Sequence, residues 1–146
     1  MDLLTQPDAC YCAAARKAAR VISRIYDNHL SGTGMSIPQF SILWILVRAG
    51  EITALELSNK LAMDRTTLVR ALKPLQRDSL VVERRAEPKG RQLVYTISAL
   101  GAVQVEQALP HWLAAQQEIE TKMGRGRIGQ IRQDAQDLLN TLRDTA

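Results

Sequence analysis

Apolar side chains recur along the chain at two spacings, and the switches between them divide it into elements. From about Asp8 to Leu30, the residues Ala14, Ala18, Val21, Ile22, Ile25 and His29 share one helical face. Ser31-Gly32-Thr33-Gly34 closes that helix. A second helix is predicted from Ser36 to Gly50. Ser36 is an N-cap with Gln39 three residues on and Pro38 in the first turn, and Phe40, Ile42, Leu43, Leu46 and Val47 face the core. Thr53 with Glu56 repeats the capping pattern and opens a short helix carrying Leu57 and Leu61. After a tight turn at Ala62-Met63, Asp64 caps a further helix that runs to about Asp78. The chain then turns β-rich: Val81 to Arg85 and Leu93 to Ile97 are predicted strands joined through Glu87-Pro88-Lys89-Gly90. Ser98 caps a long helix from Ala99 to about Met123, with a bend expected at Pro110. Beyond Gly124-Arg125-Gly126, a last helix is expected to bury Ile128, Ile131, Ala135, Leu138, Leu139 and Leu142.

Two short capped helices, a tight turn and a following hairpin make a winged helix-turn-helix. The predicted fold is therefore mainly α with a small β-hairpin wing. Residues 35–97 form the winged domain, and residues 1–34 and 98–146 supply dimerisation helices. Those outer helices hold more Leu, Ile and Ala than so small a module can cover, and a second chain is the expected partner; packing within one chain is the alternative.

The helix after Asp64 divides its surface as a DNA-reading helix must. At about 100° per residue, Leu68, Ala71, Leu72 and Leu75 point inward while Thr66, Arg70, Lys73 and Arg77 point outward. Thr66, Thr67 and Arg70 sit in the turns that enter a major groove, where hydroxyls and a guanidinium suit base edges, and Arg65 reaches a base or a phosphate. Lys73 and Arg77 lie further along, at phosphate positions. In the hairpin, Arg84, Arg85, Lys89 and Arg91 surround the tip, with Arg91 the candidate for the minor groove. The alternative for both groups is a solvated basic surface. Pro74 lies inside the reading helix, where it removes one hydrogen bond and is expected to bend the axis.

Charge sharpens this picture. From Lys60 to Arg91 there are nine basic residues against four acidic ones, a net of +5 in a chain whose total is +4. All the excess positive charge thus falls on the predicted reading helix and wing, the footprint of a phosphate-binding surface. Hydrophobic residues make up 46% of the chain but aromatics only 4%, which suits helices packed on helices. No apolar run nears the roughly 18 to 20 residues that span a bilayer, and the first residues hold Asp2 and Asp8 in place of a basic and then apolar leader, so no membrane association and a cytoplasmic location are expected.

The stretch Met63-Asp64-Arg65-Thr66-Thr67-Leu68-Val69-Arg70-Ala71-Leu72, continuing through Leu80-Val81, resembles the MarR (multiple antibiotic resistance regulator) family. So do Pro38-Gln39-Phe40-Ser41-Ile42-Leu43 and Leu93-Val94-Tyr95-Thr96-Ile97-Ser98-Ala99-Leu100-Gly101, and the resemblance covers nearly the whole chain. It implies a dimeric transcriptional regulator, by default a repressor, gripping a pseudo-palindromic double-stranded operator that an effector or an oxidant makes it release. Arg65, Thr66, Thr67 and Arg70 take the base-reading positions and Arg91 that of the wing arginine. Two departures stand out: Lys89 replaces the aspartate that usually orients that arginine, and Ser79 replaces a glycine that often ends the reading helix.

Two sensing routes stay open. Cys10 and Cys12 open the first helix, and the phase of Cys12 and Tyr26 resembles the branch of the family that senses organic peroxides through a cysteine and a tyrosine. Arg16 one turn on, and the positive end of the helix, favour a thiolate. The other route is a small aromatic carboxylate held by Arg16, Arg20, Arg24, His29 and Trp44 between the reading lobe and the dimer helices. At i and i+2 of a helix, Cys10 and Cys12 diverge and are not expected to pair. A zinc site from Cys10, Cys12, His29 and His111 has no recognised spacing, so no metal or cofactor is expected. With no phosphate loop or catalytic constellation, the chain does not read as an enzyme. The rival class is a winged module that binds protein or RNA.

Overall fold

In the computed structural model, which describes residues 9–86 and 90–143, six helices enclose a small sheet. Helix α1 is Tyr11–Leu30, and a single 3₁₀ turn, Ser31–Thr33, leads through Gly34 to α2, Ile37–Ala49. Then come β1 (Glu51–Thr53), α3 (Ala54–Leu61), α4 (Arg65–Arg77), β2 (Val81–Arg85) and β3 (Leu93–Ile97). The long α5 (Ala99–Met123) and α6 (Arg125–Leu142) complete the chain. The winged helix-turn-helix expected from the pattern is present. Ser36 and Thr53 both form full capping boxes, with Gln39 and Glu56 bonding back to the cap N–H groups.

The sheet has one strand more than the sequence predicts. It is antiparallel in the order β1-β3-β2, with Ile52 opposite Tyr95 and Glu83 opposite Tyr95 on its other side. Three residues between Gly50 and the cap Thr53 are too few for alternation to register, and β1 exists because β3 offers it a free edge.

The core lies where α2, α3, α4 and the sheet meet the first half of α5. Leu43, Leu46, Leu57, Leu68, Leu72, Leu75 and Tyr95 are buried there with Val105 and Ala108. Each fully buried leucine contributes on the order of 1.5–3 kcal/mol. The two chain-end helices are different. Ala14, Ala18 and Val21 of the predicted α1 stripe are exposed, and only Ile22, Ile25 and His29 are partly covered. The expectation that α6 buries its apolar face fails within one chain: no α6 residue is buried, and Leu138 and Leu142 keep 55% and 54% of their surface. The stripe has the right period but is only partly covered: Ile128, Ile131 and Ala135 face α1 and α5 across one cavity, and Leu138, Leu139 and Leu142 face Ser58 and Ala62 across another.

Two boundaries also differ from the reading of the sequence. Cys10, with extended dihedrals, is the N-cap of α1, and Asp8, where that helix was expected to start, lies outside the described residues. Only Gly124, at φ 85°, interrupts α5 and α6; Gly126 is already helical. Helix α4 runs through Pro74, and α5 through Pro110.

Candidate nucleic-acid interface

The presentation of α4 begins at the turn before it. Ala62 adopts the left-handed conformation at φ 52°, and its N–H reaches back to the last carbonyls of α3, so the chain reverses in two residues. Asp64 then caps α4, its Oδ1 accepting from the Thr67 N–H at 2.7 Å. Hydrogen bonds from the Thr67 backbone and side chain hold the Asp64 carboxyl below the usual carboxylate range, and Arg70 adds to the effect. With the cap fixed, Leu68, Leu72 and Leu75 lie in the core, while Arg65, Thr66, Thr67, Arg70, Lys73 and Arg77 are all exposed. The six predicted helix residues thus share one accessible surface. Only Arg77 is diverted, its Nε lying 3.4 Å from Asp78 Oδ1 in a solvent-exposed pair.

At its far end α4 finishes in a Schellman-type turn, with the Leu80 N–H bonding to Leu75 O at 2.8 Å across Ser79. Ser79 takes φ 59°, the conformation for which glycine is suited, without being glycine. The next carbonyls fasten the wing and α5. Ser98 donates its N–H to Leu80 O at 2.9 Å and its hydroxyl to Ser79 O at 2.7 Å, while its Oγ caps Gly101.

The wing places Arg85 and Arg91 in solvent on either side of its tip, and the Ala86 N–H closes the base of the loop on Gln92 O at 2.9 Å. Lys89 lies outside the described residues. Arg84 is exposed but engaged: its Nη2 donates to Glu51 on β1 and its Nη1 to Arg85 O. Between wing root and α3, Arg65 lines a cleft of about 280 Å³ with Thr53, Leu55, Ser58, Gln92 and Leu93. The sequence reading missed one group here. Gln76 on α4 donates to Glu83 Oε2 at 2.9 Å, and the buried Tyr95 lies directly opposite Glu83 in the β2–β3 ladder. Burial, reinforced by Glu83, pushes the Tyr95 hydroxyl up to about 12. The signal was available: Glu83 falls in the inward phase of β2, in step with the buried Val81.

A sequence profile described as the MarR family matches residues 33–92, from the end of the 3₁₀ turn after α1 to the residue before β3. The structure of MosR, a transcriptional regulator from M. tuberculosis, in complex with DNA, superposes with a TM-score of 0.83 at 29% identity, covering 93% of this chain and 98% of that one. The chain resembles MarR-family transcriptional regulators over these residues and in its fold.

A second structure of M. tuberculosis MosR gives a TM-score of 0.79 at 28% identity, covering 94% of this chain and 98% of that one. A cysteine-to-serine mutant of MarR from E. coli, complexed with operator DNA, shares the fold at a TM-score of 0.81 and 20% identity, covering 93% and 98%. No curated protein matches the sequence significantly.

The sensor candidates lie apart. Cys10 and Cys12 are free and exposed, Cys10 accepting from the Ala13 N–H through Sγ at 3.4 Å. Tyr26 follows Cys12 by 14 residues on the same helix, about 21 Å along the axis, and donates its hydroxyl to Gln116 on α5. Burial, then Glu120, raises its pKa. Arg16, Arg20 and Arg24 are exposed on α1. His29 Nε2 meets Glu118 Oε2 at 2.6 Å, and a hydrogen bond from Lys122, then His29, lowers the Glu118 pKa. Trp44 stacks on Phe40 and Trp112 at centroid distances of 5.7 and 6.3 Å. A cavity of about 580 Å³ between α1, α5 and α6 is lined by Tyr26, Ile119, Ile128, Arg125 and Arg132 among others, and by none of the five predicted effector residues. Among the described residues no three His, Cys, Asp or Glu side chains are grouped to hold a metal, and no single helix is long and apolar enough to cross a membrane.

Proposed function

We propose that the chain is a homodimeric, sequence-specific DNA-binding transcriptional regulator that represses from a pseudo-palindromic operator. One observation carries this: the exposed face of α4 is an unbroken row of Arg65, Thr66, Thr67, Arg70, Lys73 and Arg77, held out by a buried leucine face and flanked by Arg85 and Arg91 of the wing. Thr66, Thr67 and Arg70 read base edges, Arg65 a base or phosphate, Lys73 and Arg77 phosphates, and Arg91 the adjacent minor groove.

The dimer follows from the uncovered apolar residues of the chain ends. Val21, Leu113, Ile131, Leu138, Leu139 and Leu142 each keep more than a third of their surface exposed. A second copy placing α1, α5 and α6 against its own equivalents covers them and sets two α4 helices toward one duplex.

Selection from random double-stranded DNA tests the whole reading. The expected product is two half-sites about one helical turn, roughly 34–36 Å, apart. Arg70→Ala should weaken binding by about 1–3 kcal/mol and relax one position of the consensus, while Lys73→Ala should weaken all sequences alike and flatten the salt dependence by about one phosphate contact. Binding without sequence preference, or to RNA or protein only, would overturn it. A monomer at micromolar concentration in sedimentation would remove the dimer.

For release, the exposure of both thiols at the N-terminus of α1 favours oxidation by an organic peroxide. The thiolate attacks one peroxide oxygen, the O–O bond breaks, and the products are a sulfenic acid and an alkoxide that takes a proton from water to become the alcohol. The competing reading, a small aromatic carboxylate, has arginines available on α1 and in the cavity beside α6. Operator affinity with and without peroxide, repeated on Cys10→Ser and Cys12→Ser, separates them: a response that survives both substitutions excludes the thiols.

A further inference from the structure

A wing and a reading helix contact two grooves of one duplex only if the angle between them is fixed, and two carboxylates lie where that angle is set. Glu83 is directly opposite Tyr95 in the β2–β3 ladder, and Tyr95 is 2% exposed. The Glu83 carboxylate accepts from Gln76 Nε2 at 2.9 Å, and, added to burial, its charge helps to raise the pKa of the facing Tyr95 hydroxyl. One side chain therefore ties the last turn of α4 to β2, at the rung where β2 pairs with β3. On the opposite face, the Glu51–Arg84 pair spans the sheet. Glu51 is opposite Thr96 and Arg84 opposite Val94, so the pair reaches diagonally across the central strand from β1 to β2.

We propose that Glu83 and Glu51 are positioning residues for DNA binding, which lock the wing to α4 from the two faces of the sheet, and that Arg84 belongs to this lock instead of contacting DNA. The inference rests on the DNA-binding reading above. Acidic residues beside a phosphate-binding surface oppose its charge, and each of these two is spent on a directed bond between elements. Glu83 accepts from Gln76 on another element and faces Tyr95 across the ladder, so a slide of β2 by one residue, which would turn Glu83 to the other face, loses both. Glu51 neutralises Arg84 locally, which leaves Arg85 and Arg91 as the free described cations of the wing.

The test measures affinity for the selected operator, its salt dependence and hydroxyl-radical protection of the minor groove. The variants are Gln76→Ala, Glu83→Ala, Glu83→Gln and Arg84→Gln, each alone and with Arg91→Ala. Gln76→Ala and Glu83→Ala are expected to lose about 3- to 10-fold in affinity, roughly one hydrogen bond, and to lose minor-groove protection while the base preferences read by Thr66 and Arg70 remain. Adding Arg91→Ala to either should cost little more, because the wing contact is already gone. Glu83→Gln keeps an acceptor and should restore most of the affinity. Arg84→Gln should leave the salt slope unchanged, whereas removal of a true phosphate contact lowers it by about 0.9.

Full additivity of Glu83→Ala with Arg91→Ala, or a salt slope lowered by Arg84→Gln, overturns the proposal. So does unchanged binding in both Gln76→Ala and Glu83→Ala when the wild type binds its operator. A wild type with no specific site defeats the DNA-binding reading itself, and this inference with it.

Discussion

Ser79→Gly should stabilise the protein, a gain that follows from a single dihedral angle. Ser79 sits at φ 59° in the turn that ends α4, where an L-residue with a Cβ bears about 1–2 kcal/mol that glycine avoids. Glycine returns part of this because the unfolded chain gains freedom, about 0.4–1 kcal/mol. Among the described residues the Ser79 hydroxyl makes no hydrogen bond; the bonds at this position are backbone ones, from the Ser79 N–H to Gln76 O and from Ser98 to the Ser79 carbonyl. They survive the change. The net gain is about 0.5–1 kcal/mol, a rise in Tm of roughly 2–4 °C for a chain of this size. Urea unfolding at one fixed protein concentration measures it, since a dimer's midpoint moves with concentration. Ser79→Ala is the control, because it removes the hydroxyl and keeps the Cβ, and it should give no gain. Equal stability of the glycine and alanine variants, or a glycine variant no more stable than wild type, refutes the reasoning.

Gly101→Ala acts in the opposite sense. A Cβ there would meet Ile97 Cγ1 at 2.8 Å, with the Leu80 carbonyl oxygen closer still, and overpacking against backbone costs about 1–3 kcal/mol, more than the roughly 1 kcal/mol that alanine gains in helix propensity. Chemical denaturation reads this as a lowered midpoint. Asp64 titrates below its ordinary range in the folded chain, so its cap contributes above the unfolded-state value and is lost as pH falls through the folded one. Asp64→Asn, which still caps, should therefore flatten the acid limb of a stability–pH curve, and an unchanged limb argues against the cap's role. Ala62→Gly, at φ 52°, should raise the midpoint for the same reason as Ser79→Gly, whereas Ala62→Val should lower it; thermal melts of the pair decide.

Most of the winged domain was legible because its signals are local. A Ser or Thr followed three residues later by Gln or Glu fixes a helix start whatever surrounds it, and both such boxes form at Ser36 and Thr53. The outward row on α4 follows from a fixed angle per residue. What the sequence concealed depends on distant partners. Strand β1 exists only through its pairing with β3, and Glu83 acquires its role only when Gln76 and Tyr95 arrive from other elements. Periodicity identified the apolar stripe of α6 correctly but could not say what covers it, since a period names a face and not its neighbour. The proposed effector residues, four on α1 and Trp44 on α2, were grouped by chemistry alone, and the fold engages His29 with Glu118 and Trp44 with Phe40 and Trp112.

The two hydrogen bonds from Ser98 to the carbonyls of Ser79 and Leu80 give α5 a mechanical meaning. They pin the start of a 25-residue helix to the end of the reading helix, making a lever about 37 Å long whose far end lies beside α6. A tilt of about 5° at that end moves Ser98 by about 3 Å, close to the rise of roughly one base pair. An event too small to unfold anything at the chain ends would thus put the reading helix out of step with its half-site.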